Sequence, residues 1–64
     1  VIGNVTAWGQ RGYTILEEGE LDPASHRLRI THYLVADPHG ETVDQRFPGM
    51  NEARAYIDYL ELPN

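Results

Sequence analysis

The sequence predicts an α+β fold: an antiparallel β-meander of three to four strands with one C-terminal amphipathic α-helix packed on one sheet face. Three observations point there. Residues alternate with a period of two from His26 to Ala36, as in a half-buried strand. The run Asp37-Pro38-His39-Gly40 follows at once, with Asp, Pro and Gly where a tight turn needs them. The spacing then becomes helical, with Ala53, Tyr56, Ile57 and Leu60 at i, i+3, i+4 and i+7.

In chain order, the first strand is expected over about 1–8, where β-branched and aromatic residues dominate. Gly9-Gln10-Arg11-Gly12 reads as a tight connection, because glycine takes positive φ without steric cost. A second strand over about 13–18 then brings Trp8 and Tyr13 together as a cross-strand pair. Its buried face stays open, since Ile15 and Leu16 are adjacent and point opposite ways. Glu17 to Ser25 is polar, carries Gly19 and Pro23, and is expected to be a surface loop. The third strand covers 26–36, with His26, Leu28, Ile30, His32, Leu34 and Ala36 facing inward. A return strand over about 41–47 pairs with it. With Ala36 facing Glu41, Leu34 meets Val43, His32 meets Gln45 and Ile30 meets Phe47 on the inner face. Pro48-Gly49 ends this strand, and a helix is expected over about 50–61. Asn51 is its expected cap, Glu52 complements its dipole, and Pro63 stops it. The expected core is Leu28, Ile30, Leu34, Val43, Phe47, Ala53, Tyr56, Ile57 and Leu60.

Length and composition set the class. Sixty-four residues, 41% hydrophobic and 23% charged, fit one small domain over 1–64 and exclude a rod or a wholly disordered chain. No apolar run is long enough to span a membrane as a helix. With no Cys, neither a disulfide nor a thiolate zinc site supports the core. No signal peptide is visible, and the expected location is the cytoplasm. Five arginines, no lysine and ten acids give a net charge of −5, which opposes contact with nucleic acid and with anionic membrane.

Candidate functional residues fall into two groups. The first is acidic: Glu17, Glu18, Glu20 and Asp22 lie within six residues, a charge run suited to a basic partner. The second lies on the expected outer sheet face, where Arg27, Arg29 and Arg46 converge with Thr31 and Tyr33; Arg and Tyr often anchor binding surfaces. No metal or cofactor is expected. His26 and His32 are roughly 20 Å apart along a strand, and His39 with Asp37 offers only two ligands. Catalytic patterns are missing too: there is no Cys, a single Ser, and no phosphate loop or dinucleotide fingerprint.

Phe47, then Glu52-Ala53, then Ala55-Tyr56 at the strand-to-helix junction give the segment from His26 to Leu60 a further feature. It resembles the Apetala-type and integrase N-terminal DNA-binding domains. The resemblance implies a three-stranded sheet on a C-terminal helix, with DNA read by the open sheet face. This chain departs from those domains in being acidic and free of lysine. The expected function is therefore a small non-enzymatic protein-interaction module, of an accessory or inhibitory kind, with a protein partner. A nucleic-acid-binding domain using the arginine-rich sheet face is the alternative. An edge strand and a small core also predict a homo-oligomer formed through the first hairpin.

Overall fold

Residues 1–62 are described by a computed structural model. Strands β1 (Ile2–Trp8), β2 (Tyr13–Leu21) and β3 (Leu28–Ala36) form one antiparallel sheet in the order β1-β2-β3, and helix α1 (Met50–Leu60) packs on one face. The α+β meander expected from the sequence is what the chain forms, with three strands.

The first hairpin follows the expectation. Gly9 and Gly12 have φ of 83° and 95°, and Trp8 pairs with Tyr13. The orientation left open by the sequence is now settled: Ile15 is fully buried under the helix. Leu16, one residue on, faces the uncovered side, where it pairs with Leu34 of β3.

The expected acidic loop is strand instead. β2 runs on to Leu21 because β3 supplies a partner for each residue: His32 for Glu18, Ile30 for Gly19, Arg29 for Glu20 and Leu28 for Leu21. The register shifts between Glu18 and Gly19, which leaves Thr31 as the extra residue of a bulge. Gly19 is buried there, and a Cβ on it would run into the backbone carbonyl of Arg29. The actual turn is short. Asp22 N donates to Arg27 O, His26 N donates to Asp22 O and Ala24 N donates to Asp22 Oδ1, each at 2.8 Å. His26 sits in the left-handed region at φ 59°, so His26 and Arg27 belong to the turn and β3 begins at Leu28.

The larger correction concerns the buried face of β3. Val35 is fully buried and Tyr33 packs beside it, whereas Ile30 is 40% exposed and Leu28, Leu34 and Leu60 lie outside the core cluster. The turn after β3 explains the change. Asp37 N donates to Glu41 O (2.8 Å), Gly40 N donates to Asp37 O (2.9 Å), and Gly40 has φ 88°. Asp37 therefore faces Glu41 across a three-residue loop, and Ala36 bridges Thr42 instead of Glu41. Val35 O accepts from Val43 N at 2.9 Å. A slip of one residue sends every side chain to the opposite face, and here it brings the odd positions inward. The expected fourth strand is reduced to two isolated bridges, Ala36 with Thr42 and Tyr33 with Phe47. Residues 44–46 bow outward between them and return Phe47 to the helix side.

The core is Ile15, Val35, Phe47, Ala53 and Ile57, ringed by Trp8, Tyr13, Tyr33, Val43, Met50 and Tyr56. Phe47 and Tyr56 pack as a tilted ring pair with centroids 5.1 Å apart. Helix α1 is capped by Gly49, not Asn51. Gly49 is extended at φ −151°, and Ala53 N donates to its carbonyl at 3.2 Å. A start at Asn51 would take Met50 out of helical geometry and away from the core it packs on. The expected stop at Pro63 lies outside the described residues. At the other end of the helix, three side chains grip the first hairpin. Glu61 accepts from the backbone N–H groups of Gln10 (3.0 Å) and Arg11 (2.9 Å), Asp58 Oδ1 accepts from Trp8 Nε1 (3.0 Å), and the Arg54 guanidinium lies 4.7 Å from the Trp8 ring centroid.

Candidate functional site

Helix α1 covers one face of the sheet and leaves the other open, so candidate surfaces are the open face and the strand edges. The expected arginine face assembles only in part: Arg29, directly opposite Glu20, shares the open face with Glu18 and Arg46, whereas Arg27 and Tyr33 do not join them. Tyr33 points to the helix side, bridged to Phe47 by a pair of backbone hydrogen bonds of 2.8 and 2.9 Å. Arg27 is in the turn and Arg29 is the register partner of Glu20. Thr31 occupies the bulge, its hydroxyl donating to Glu18 O at 3.2 Å. Arg46 lies beside His32, its Nε 3.1 Å from His32 Nε2.

The acidic residues are also dispersed, because alternation along a strand sends neighbours to opposite faces. Glu17 shares the side of Ile15, and its Oε1 accepts from Asn4 N at 3.0 Å. Glu18 and Glu20 follow the opposite face. Asp22 is occupied in the turn. The sequence run of four carboxylates is thus not one patch.

One polar cluster does form on the open face, where β2, β3 and the 42–46 segment meet. The Glu18 carboxylate is in direct contact with His32 Nε2. Arg46 Nε donates to the same Nε2 at 3.1 Å and lies 4.0 Å from Glu18 Oε1. Thr31 Oγ1 is 3.0 Å from His32 Nδ1. Beside this cluster Glu18, Leu34, Val43, Asp44, Gln45 and Arg46 line an open hollow of about 470 Å³. Sequence reasoning placed His32 opposite Gln45 and missed both of its charged neighbours. The available signal was Glu18, whose pairing with His32 depends on β2 continuing through residues read as loop.

The second feature is the free edge of β1. Residues 1–8 carry no charged side chain, although charged residues make up 23% of the chain. Val1, Ile2 and Val5 are 64%, 44% and 57% exposed. The outer edge of β3 is partly occupied by the bridges at Thr42 and Phe47. Among the described residues no strand pairs with the outer edge of β1. Also among the described residues, no three His, Asp or Glu side chains group as a metal site, and no helix is long and apolar enough to cross a membrane.

Comparison with known proteins finds no matching family model, no similar curated protein and no similar solved structure. The likeness to integrase N-terminal domains gains nothing from these comparisons. Its segment, His26 to Leu60, supplies only β3 and α1, and the other two strands come from before it.

Proposed function

We propose that the protein is a small non-enzymatic interaction module that takes an extended, basic segment of a partner protein as a fourth strand on β1. The observation that carries this reading is the uncharged edge from Ile2 to Trp8, with which no strand pairs among the described residues. Unpaired backbone N–H and C=O groups on an edge template a further strand, and proteins ordinarily guard such edges with lysine, proline or other charge. β1 carries none of these residues; the register shift between Ile2 and Val5, where Asn4 N donates to Glu17 Oε1, leaves Val5 to Trp8 as its regular stretch.

Charge selects the partner. The chain carries −5 overall, and β2, the strand next to β1, bears Glu17, Glu18 and Glu20. A strand added to β1 would run roughly 10 Å from β2 at the usual inter-strand spacing. That is slightly more than the Debye length of about 8 Å at physiological ionic strength, so the attraction is weakened by salt and strengthens as ionic strength falls. Basic side chains on the added strand are therefore attracted, whereas an acidic partner is repelled. The same repulsion weighs against a second copy of this chain, and the net charge of −5 weighs against a nucleic-acid surface.

The test is affinity capture from the source cell with three baits: the wild type, Val5→Lys, and the double variant Arg27→Glu with Arg29→Glu. A single stoichiometric protein is expected with the wild type and the double variant and is lost with Val5→Lys, because the lysine guards the edge and repels a basic strand. Co-purifying nucleic acid lost with the arginine variant would overturn the proposal in favour of a nucleic-acid binder. Recovery of the tagged protein with its own untagged copy alone would replace the partner by a homo-oligomer.

A further inference from the structure

The three-way contact at His32 contains a conflict over protons, and the conflict has a consequence. Thr31 Oγ1 has one proton, which it donates to Glu18 O at 3.2 Å. With its proton so placed, the hydroxyl accepts toward His32 Nδ1, 3.0 Å away, in the tautomer that carries a proton on Nδ1. Nε2 then decides the charge of the ring. Without a proton there, it accepts the Arg46 Nε–H at 3.1 Å, but the Glu18 carboxylate against it has nothing to accept. With a proton there, Nε2–H donates to Glu18 Oε1, and the Arg46 N–H faces another donor on a positively charged ring. Each contact suits one protonation state of the imidazole and opposes the other.

We propose that Glu18, His32 and Arg46 form a protonation-sensitive clasp. The neutral imidazole holds Arg46, and with it the 42–46 segment, against the open sheet face; the imidazolium turns to Glu18 and releases Arg46. Burial favours that order of events. The side chains of His32 and Glu18 are only 21% and 28% exposed, whereas that of Arg46 is 72% exposed, so Arg46 is the member that leaves into water. It is carried on a segment fixed to β3 only by the bridges at Thr42 and Phe47, which lets 44–46 move while both anchors stay. The charged groups facing His32 are Glu18 from β2 and Arg46 from the 42–46 segment, with Asp44 lining the same hollow. Release of Arg46 opens that hollow and bares the backbone of 44–46. A histidine is suited to such a device because its charge changes between pH 5 and 8. The clasp is independent of the β1 edge.

The test is a titration of the isotope-labelled full chain by nuclear magnetic resonance from pH 8 to pH 5. The Arg46 Nε–H signal and the backbone amides of Asp44, Gln45 and Arg46 are expected to shift with the midpoint of the His32 ring carbons. In His32→Gln, whose side-chain oxygen accepts from Arg46 at every pH, these signals stay fixed. His26 and His39 lie in turns, and His26→Gln and His39→Gln serve as controls in which the Arg46 movement is expected to persist. An Arg46 signal that holds still through the His32 titration overturns the proposal, as does the same movement in His32→Gln. Should His32→Gln fail to give a folded spectrum, coincidence or non-coincidence of the wild-type midpoints decides alone.

Discussion

Replacing Ile15 and Ile30 by alanine, one at a time, separates the observed core from the one the sequence pattern suggested. The chemistry is the same at both sites: each change removes three carbons from one isoleucine. Ile15 is fully buried between Val35 and Ile57, and Ile30 is 40% exposed beyond the reach of α1. At Ile15 the lost transfer energy is about 2.4 kcal/mol, at about 0.8 kcal/mol per carbon. A cavity closed on one side by the sheet and on the other by the helix adds about 1 kcal/mol. The expected cost is thus about 3–4 kcal/mol, against a total stability on the order of 3–10 kcal/mol for a chain of this length. At Ile30 the expected cost is about 1 kcal/mol or less. Urea unfolding read by Trp8, the only tryptophan, measures both. With an m-value of about 1 kcal/mol per molar, Ile15→Ala loses about 3 M in midpoint or unfolds outright, and Ile30→Ala loses about 1 M or less. Equal losses, or a larger loss at Ile30, would refute the register of β3.

Three further outcomes follow from the same contacts. Phe47→Ala removes a buried ring that packs on Tyr56 and is expected to cost about 3–5 kcal/mol, read by the same urea unfolding. Gly19→Ala places a methyl group against the Arg29 carbonyl; pairing between β2 and β3 beyond Glu18 is expected to fail, seen as fast amide exchange over 19–21 and 28–30 while the core amides stay protected. Glu61→Ala leaves the amides of Gln10 and Arg11 without their carboxylate acceptor; their hydrogen exchange should accelerate, with about 1 kcal/mol lost from global stability.

The turns at 9–12 and 37–40 were legible in the sequence because glycine, proline and aspartate act locally, whereas the turn at 22–27 was not. Gly9, Gly12 and Gly40 each occupy the positive-φ position that a turn requires. The helix was legible because its apolar spacing spans three turns. The buried face of β3 was not legible, because Leu34 and Val35 are equally apolar neighbours. The choice between them rests on whether Ala36 or Asp37 faces Glu41, a difference of one residue in a loop. The acidic run misled for a related reason: Glu18 and Glu20 are strand residues only when His32 and Arg29 lie opposite, and those partners are remote in sequence. The free edge of β1 follows from the strand order and not from composition, because a run without charge reads equally well as an interior strand.

The proposed function stands or falls on β1, and hydrogen exchange on the protein bound to its captured partner tests it most directly. Slower exchange of the Ile2–Trp8 amides on complex formation, with α1 and the open sheet face unchanged, is the predicted result. Protection confined to α1 or to the Arg29 and Arg46 side, with β1 exchanging as in the free protein, would contradict it.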